Sequence, residues 1–403
     1  MPERPLKVAW IPSFPVEWLP DAPEPLRNLP RLHPATWQRV LLDEFSTVRS
    51  RMPLELHVFS VGSHFERSCR FEQDGVTFHC LRTPRGMRTL SLFWWETWLL
   101  GRRLKTIRPD LVHAWGTERG GALVASRLGY PYLVTMQGLL QWYSQHVRLG
   151  RYHQLDTLLE PLSLRRASVV TTESTFAVHW LRERYPHLEV IQAEHAPNWL
   201  FHRLERQSEA RRPIRFLFVG VLSLIKGTDL LLQALDKLRE ELDFRLTLVG
   251  EPRPEFAGQL KAWTSSALWE RVTIRQGLTQ EQVAQELARA TMLLFPTRVD
   301  TSPNSVKEAV VAGVPVVASA IGGIVDYVLP GRNGLTFPAG NLDEFIKAIR
   351  AAIAHPLFGQ GKVEPETRDR MRQYLSPRVM AEGFWAAYQR VAARGKSAES
   401  RET

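Results

Sequence analysis

Residues 295–319 constrain the chain more than any other stretch: Phe-Pro-Thr-Arg-Val-Asp-Thr-Ser-Pro-Asn-Ser-Val-Lys-Glu-Ala-Val-Val-Ala-Gly-Val-Pro-Val-Val-Ala-Ser. The apolar run from Met292 to Phe295 reads as a buried strand that Pro296 stops. A polar loop leads to a helix with complete end signals. Ser302 stands where an N-cap belongs, Pro303 at the first helical position, and Gly313 where a helix ends in the left-handed conformation. Val314 to Ala318 then returns as a second buried strand. The helix start offers the amides of Ser302, Asn304 and Ser305, together with the positive end of the dipole, to a phosphate or pyrophosphate. Asp300 in the loop and Glu308 inside the helix bracket that site. Two carboxylates beside a phosphate repel it unless they bind something else, and sugar or ribose hydroxyls suit them. N-caps and helix-surface glutamates are ordinary singly; the whole string points to a ligand.

Asp300-x7-Glu308-Ala309, followed by Gly313-Val-Pro-Val-Val-Ala318-Ser319 and Gly322-Gly323, resembles the donor-binding signature of the retaining glycosyltransferases of family 4. That family lies in the glycogen-synthase-like superfamily and has the GT-B fold. The resemblance covers most of residues 214–350 and is looser over the N-terminal half. It implies two Rossmann-like parallel-sheet domains facing a cleft. It also implies transfer of a sugar from a nucleotide-diphospho sugar, with retention at the anomeric carbon, to a glycan or lipid-linked acceptor in cell-surface polysaccharide synthesis. No Asp-x-Asp occurs in the chain, so the expected reaction needs no metal, and no cofactor beyond the donor substrate is implied.

The 403 residues suit two domains of about 200 each. A net charge of +10 raises nucleic acid as a partner, yet no helix-turn-helix, zinc-finger or RNA-recognition pattern and no long basic block is present. An anionic membrane surface touched peripherally, or an anionic donor and acceptor, explains the charge equally well. Cys69 and Cys80 form neither a metal motif nor a disulfide framework. With no apolar leader and no membrane-length run, the expected location is cytoplasmic, with the inner membrane face open as a docking surface.

Alternating apolar runs and helical periodicity make both halves α/β. The expected layout is an acceptor-side domain over 1–205, a donor domain over 206–375, a terminal helix over 376–393 crossing back to the first domain, and a disordered tail over 394–403. Leu6 to Ile11 is the first strand, followed by a Pro-rich segment ending at His33, read as an acceptor-side loop with His33 a contact or a surface residue. Residues 87–108 read as one aromatic helix with a cationic end, favoured as a core helix over a membrane-surface one. Asp110 to Gly116, with His113 inside it, reads as a strand running into a loop, and residues 117–129 read as a helix. Tyr132 to Met136 runs into Gln137-Gly138, where the resembled family has a histidine near the donor sugar. A Gln can donate a hydrogen bond there but cannot shuttle a proton. Glu160 stands in the place of a frequent family glutamate.

In the second half, Gly220 and Lys226-Gly227 resemble the family's Gly-Arg-Leu-x-x-x-Lys-Gly, in which Arg and Lys clamp the diphosphate. Lys226 fits, but Val221 holds the Arg position, so either another cation such as Arg298 moves in or donor affinity falls. Gly250, Glu251 and Gly277 follow strands at the edge where nucleotides bind in open α/β sheets. Val283 lies on a helix that either approaches the base or belongs to the core. Lys226, Asp300 and Glu308 carry the expected chemistry. The resemblance adds Ser302, Pro303, Asn304, Ser305 and Val306 to the donor site, with His33, His113, Gln137 and Gly138 on the acceptor side. Two other readings stay open: a non-catalytic nucleotide- or glycan-binding assembly subunit, and another GT-B enzyme such as an epimerase or phosphorylase.

Overall fold

Short apolar runs bounded by Pro, Gly and charged residues become the strands, because a parallel sheet covered on both faces needs side chains that are apolar on both. The computed structural model describes residues 4–30, 35–147, 150–207, 213–261 and 264–402. It divides into a first unit of Met1–Glu173, Ala177–Glu194 and Met380–Thr403, and a second of Ser174–Phe176 and His195–Val379. The division after Glu194 precedes the expected boundary at 205. Asn198 caps the short helix Trp199–His202, accepting from the Leu200 amide at 2.9 Å, and Phe201 is buried in the core of the second unit.

The first unit holds β1 (Leu6–Ile11), β2 (Leu54–Gly62), β3 (Cys69–Gln73), β4 (Val76–Arg82), β5 (Leu111–Trp115), β6 (Tyr132–Met136), β7 (Val169–Thr172) and β8 (Val190–Gln192). Their spatial order is β3-β4-β2-β1-β5-β6-β7-β8, parallel throughout except for β3, which pairs antiparallel with β4. Strand order reverses between β1 and β5, so the loops after these two strands flank a topological switch point. The terminal helix, Pro377–Glu402, contributes Tyr388 to this unit's core. Trp10 Nε1–H donates to the Tyr388 hydroxyl at 2.8 Å, and His113 Nδ1 hydrogen-bonds the same hydroxyl at 2.8 Å. Residues 394–402 continue this helix rather than forming the expected disordered tail. Apart from Gly395 that segment is built of residues with good or neutral helix propensity.

Two expected helices are broken. The aromatic one splits into Met87–Leu90 and Trp94–Ile107, because Leu92 and Phe93 take φ of 45° and 66°. Phe93, Leu100 and Leu104 are fully buried, so the core reading holds for one face; Trp94 and Trp98 lie on the other and are exposed. The helix expected over 117–129 survives only as Gly121–Arg127, after a turn in which Arg119 and Gly120 have φ of 58° and 70°.

The second unit holds β9 (Ile214–Val219), β10 (Phe244–Val249), β11 (Val272–Arg275), β12 (Met292–Phe295), β13 (Val316–Ser319) and β14 (Gly334–Phe337). All pair in parallel in the order β11-β10-β9-β12-β13-β14, the dinucleotide-fold order, with its switch point between β9 and β12. No helix among the described residues is long and apolar enough to cross a membrane.

Candidate functional site

The loops leaving β9 and β12 meet at the switch point of the second unit. Gly227 has φ 72°, and a methyl group on it would run into the Pro296 carbonyl, so only glycine lets the β9 loop lie against the β12 loop. The two loops are stitched by Arg298 N–H donating to Ile225 O at 2.8 Å and Thr297 Oγ1–H donating to the same oxygen at 3.1 Å. This contact places the Lys226 ammonium on the Asp300 carboxylate, with Asp300 buried and Lys226 half-buried. Asp300 Oδ1 also accepts from the Ser302 amide at 3.3 Å.

That bond removes Ser302 from the expected set of open amides, and the N-cap moves by one residue. Pro303, with ψ 121°, is the cap of the helix Asn304–Ala312, and its carbonyl accepts from Val306 and Lys307 at 3.2 and 3.3 Å. Proline fits the cap because it has no amide to satisfy and its ring sets φ near −74°. The amides of Asn304 and Ser305 then lack intrahelical acceptors by helix geometry, and both residues are half-buried. The Ser302 hydroxyl hydrogen-bonds the Tyr327 hydroxyl at 2.8 Å. Gly313 ends the helix at φ 74°, as its position in the sequence predicts.

Glu308, one turn further on, is half-buried, and desolvation pushes its carboxyl up to about 8. Arg298 does not take up the role of missing cation in this arrangement. Both its Nη atoms donate to Asp229, each at 2.7 Å, which fixes the guanidinium to the start of the helix Thr228–Leu238. Val221, in the clamp position, is 43% exposed. The Val306 side chain is fully buried in the core and Val283 packs against that core, which leaves backbone contact as the route for Val306. Gly220, Gly250 and Gly277 follow β9, β10 and β11, and the Glu251 carbonyl accepts from Leu222 N–H at 2.9 Å, holding the β9 loop.

In the first unit His33 lies outside the described residues. His113 is fully buried, bonded to Thr135 Oγ1 at 2.7 Å as well as to Tyr388, so it is a core residue and not an acceptor contact. Gln137 and Gly138, both half-buried, follow β6. Beside them stands a residue the sequence reading missed. Glu118 sits on the loop after β5, at this unit's switch point. Its Oε2 is packed against Gly116 so closely that a side chain there would collide with it, and its Oε1 lies 3.1 Å from where one on Gly138 would begin. Gln137 Oε1 is 3.6 Å from the same point on Gly116. The signal in the sequence was the glycine pair after it, Gly120-Gly121, which a continuous helix would not favour.

Two further carboxylates lie behind Glu118. Glu160 Oε2 accepts from Thr117 Oγ1–H at 2.7 Å, and Asp156 Oδ2 accepts from the Arg119 amide at 3.0 Å. Glu118 Oε2 and Asp156 Oδ1 have no hydrogen-bond partner among the described residues. Burial is the leading cause that pushes Glu118 up to about 7 and Glu160 up to about 8, and it raises Asp156 as well. A carboxyl raised in this way adds stability fully below its ordinary value of 4.5 and loses it as pH rises through its folded value. The melting temperature of the wild type is therefore expected to fall between about pH 5 and pH 8 and to level off above that. Glu160→Gln should flatten that fall by about 1.4 kcal/mol per pH unit between about pH 5.5 and pH 7, where the carboxyl is ionised in the unfolded chain and protonated in the folded one. Thermal melts across pH, wild type against variant, measure it; parallel curves would show that Glu160 is ionised in the folded state.

Two family models match the chain: "Glycosyltransferase Family 4" over residues 44–193 and "Glycosyl transferases group 1" over residues 213–355. The chain belongs to glycosyltransferase family 4 and has the GT-B fold. Among curated relatives, a D-inositol 3-phosphate glycosyltransferase of Catenulispora acidiphila is 30% identical over 149 residues, 35% of this chain and 36% of the relative. The chain thus spans about a third of that relative's length. An alpha-maltose-1-phosphate synthase of Mycobacterium tuberculosis is 23% identical over 84% of this chain and 95% of its own. Among solved structures, a sucrose-phosphate synthase from Thermosynechococcus elongatus superposes with a TM-score of 0.77 at 17% identity, covering 96% of this chain and 100% of that one. HepE of Anabaena, in complex with UDP and glucose, gives 0.69 at 15% identity over 95% of this chain and 99% of its own.

Proposed function

We propose that this glycosyltransferase moves a sugar from a nucleotide-diphospho sugar, with retention and without a metal, to a glycan or lipid-linked acceptor in cell-surface polysaccharide synthesis. The observation that carries this reading is the Lys226–Asp300 pair beside the open first turn at Asn304 and Ser305, with Glu308 one turn on. As the glycosidic bond breaks, negative charge grows on the leaving diphosphate. The Lys226 ammonium and the helix-start amides stand where that charge develops, without reorganising. Glu308 takes the ribose diol, and Asp300 orients Lys226 while facing the donor sugar. Uridine is the first base to try, since HepE, of the same fold, holds UDP. On the acceptor side, Glu118 and Gln137 receive the acceptor hydroxyl, Glu118 having a carboxyl that exchanges a proton near neutral pH.

A second reading, a non-catalytic nucleotide- or glycan-binding subunit, is favoured by the exposed Val221 in the clamp position and by the commitment of Arg298 to Asp229. Both are decided by incubating the chain with UDP-, GDP- and ADP-sugars and a panel of lipid and glycan acceptors. Nucleotide release with an α-linked product from an α-linked donor is the expected result. Inversion would overturn the retaining mechanism. Tight nucleotide binding with no turnover against any acceptor would favour the second reading.

A further inference from the structure

Trp94 and Trp98, one turn apart on the helix Trp94–Ile107, are 60% and 49% exposed, and Leu90 and Leu92 just before it are 82% and 50% exposed. Large apolar side chains scattered singly over a surface need no explanation, but four within nine residues form a patch. The backbone holds them outward. Phe93, between them, is fully buried with its ring against Gly120, and the positive φ of Leu92 and Phe93 turns the chain there.

The charge around this patch is predominantly positive. Residues 84–108 contain six cations and a single acid, Glu96. Glu96 is fully buried and accepts from Arg88 Nε–H at 2.6 Å, and Arg88 also donates to the Val61 carbonyl, so both are turned inward. Arg85, Arg102, Arg103, Lys105 and Arg108 remain exposed. Arg127 lies 4.4 Å over the Trp94 ring and donates to the Leu92 carbonyl at 2.7 Å, and Arg102 lies 5.1 Å over the Trp98 ring. Glu66 stands with Arg67 and Arg82 around a hollow beside Trp95, where the cations outnumber it.

We infer that this face of the first unit docks on an anionic lipid bilayer, with Leu90, Leu92, Trp94 and Trp98 entering the interface and Arg102 and Lys105 meeting the headgroups. Indole rings with an apolar body and a polar edge favour the headgroup level, and arginines stacked on them keep their charge in water while their stems cover apolar surface. The predominantly basic rim selects a lipid surface over a second copy of the chain, whose identical rim would repel it. The inference does not depend on the donor site or on the identity of the acceptor.

The test is co-sedimentation of the full chain with vesicles of phosphatidylcholine alone and of phosphatidylcholine with phosphatidylglycerol, at low and high salt. Binding to the anionic vesicles only, weakening with salt, is expected. Trp94→Ser/Trp98→Ser should lower it about tenfold or more, and so should Arg102→Glu/Lys105→Glu. Both variants should keep the wild-type melting temperature, which shows that loss of binding is not loss of folding. Absence of wild-type binding to anionic vesicles overturns the proposal, as does equal binding by folded variants. A concentration-dependent dimer that the tryptophan variant abolishes, without vesicle binding by the wild type, would reassign the face to self-association.

Discussion

Lys226→Ala is expected to lower kcat/KM for donor turnover by about two to three orders of magnitude, the usual effect of removing one preorganised group from a site of developing negative charge. Two losses combine. The ammonium that would face the diphosphate disappears, and the Asp300 carboxylate, 4% exposed, is left without its cation beside an anionic ligand. The second loss is separable. In Lys226→Ala/Asp300→Ala the unpaired charge is gone too, so donor binding should recover in part while turnover does not. A double-mutant cycle on KM and kcat reads this directly. Additive effects on donor binding would mean that the pair does not act as a unit, and unaltered kcat/KM in the single variant would remove Lys226 from the mechanism. Arg298→Ala should differ in kind, because its guanidinium holds Asp229 and the Leu224 carbonyl and not an open position.

Glu308→Ala is expected to abolish the rise in melting temperature that a stabilising nucleotide-sugar produces in the wild type. The informative variant is Glu308→Gln. With its pKa pushed up to about 8 by desolvation, the Glu308 carboxyl is largely protonated at neutral pH in the free protein. A ribose diol donates two hydrogen bonds and is best accepted by an ionised carboxylate. Wild-type affinity should therefore rise about tenfold per pH unit below pH 8 and level off above it, with a proton released on binding. The donor's diphosphate diester stays ionised over this range, so the slope belongs to the protein. Glu308→Gln should bind weakly and without that slope. For the free protein the sign is the opposite: the raised carboxyl stabilises fully below its ordinary 4.5, and the gain is lost as pH rises through about 8. Calorimetric titration at several pH values and in buffers of different ionisation enthalpy tests both arms. A flat wild-type profile would show that Glu308 does not meet the nucleotide as a carboxylate.

Most of the scaffold was legible in the sequence. The strands Leu6–Ile11, Tyr132–Met136 and Met292–Phe295 fall where apolar runs and their end signals put them. One local signal was there and went unread: Asp74-Gly75, both at positive φ, joins β3 to β4 as a two-residue hairpin turn. The helix-start motif was legible to within one residue, because Ser302 and Pro303 are both acceptable caps by type. The choice went to Pro303 once Asp300 had engaged the Ser302 amide.

Local order along the chain by itself determined which residues form strands and helices, where Gly313 ends the helix Asn304–Ala312, and that Asp300 and Glu308 stand on either side of its start. Only the tertiary structure decided which charges meet. Lys226 and Asp300 are 74 residues apart and Arg298 and Asp229 are 69 apart, and no periodicity links partners at such separations. It also decided that His113, polar and well placed by spacing, is a core residue bonded to Tyr388 from the far end of the chain, while Glu118, inconspicuous in sequence, stands at a switch point beside Gln137. The reason is physical. Secondary structure follows from short-range sterics and the solvation of successive side chains. A binding site depends on charge and burial, which are properties of the surroundings that a residue acquires only when distant strands are brought side by side.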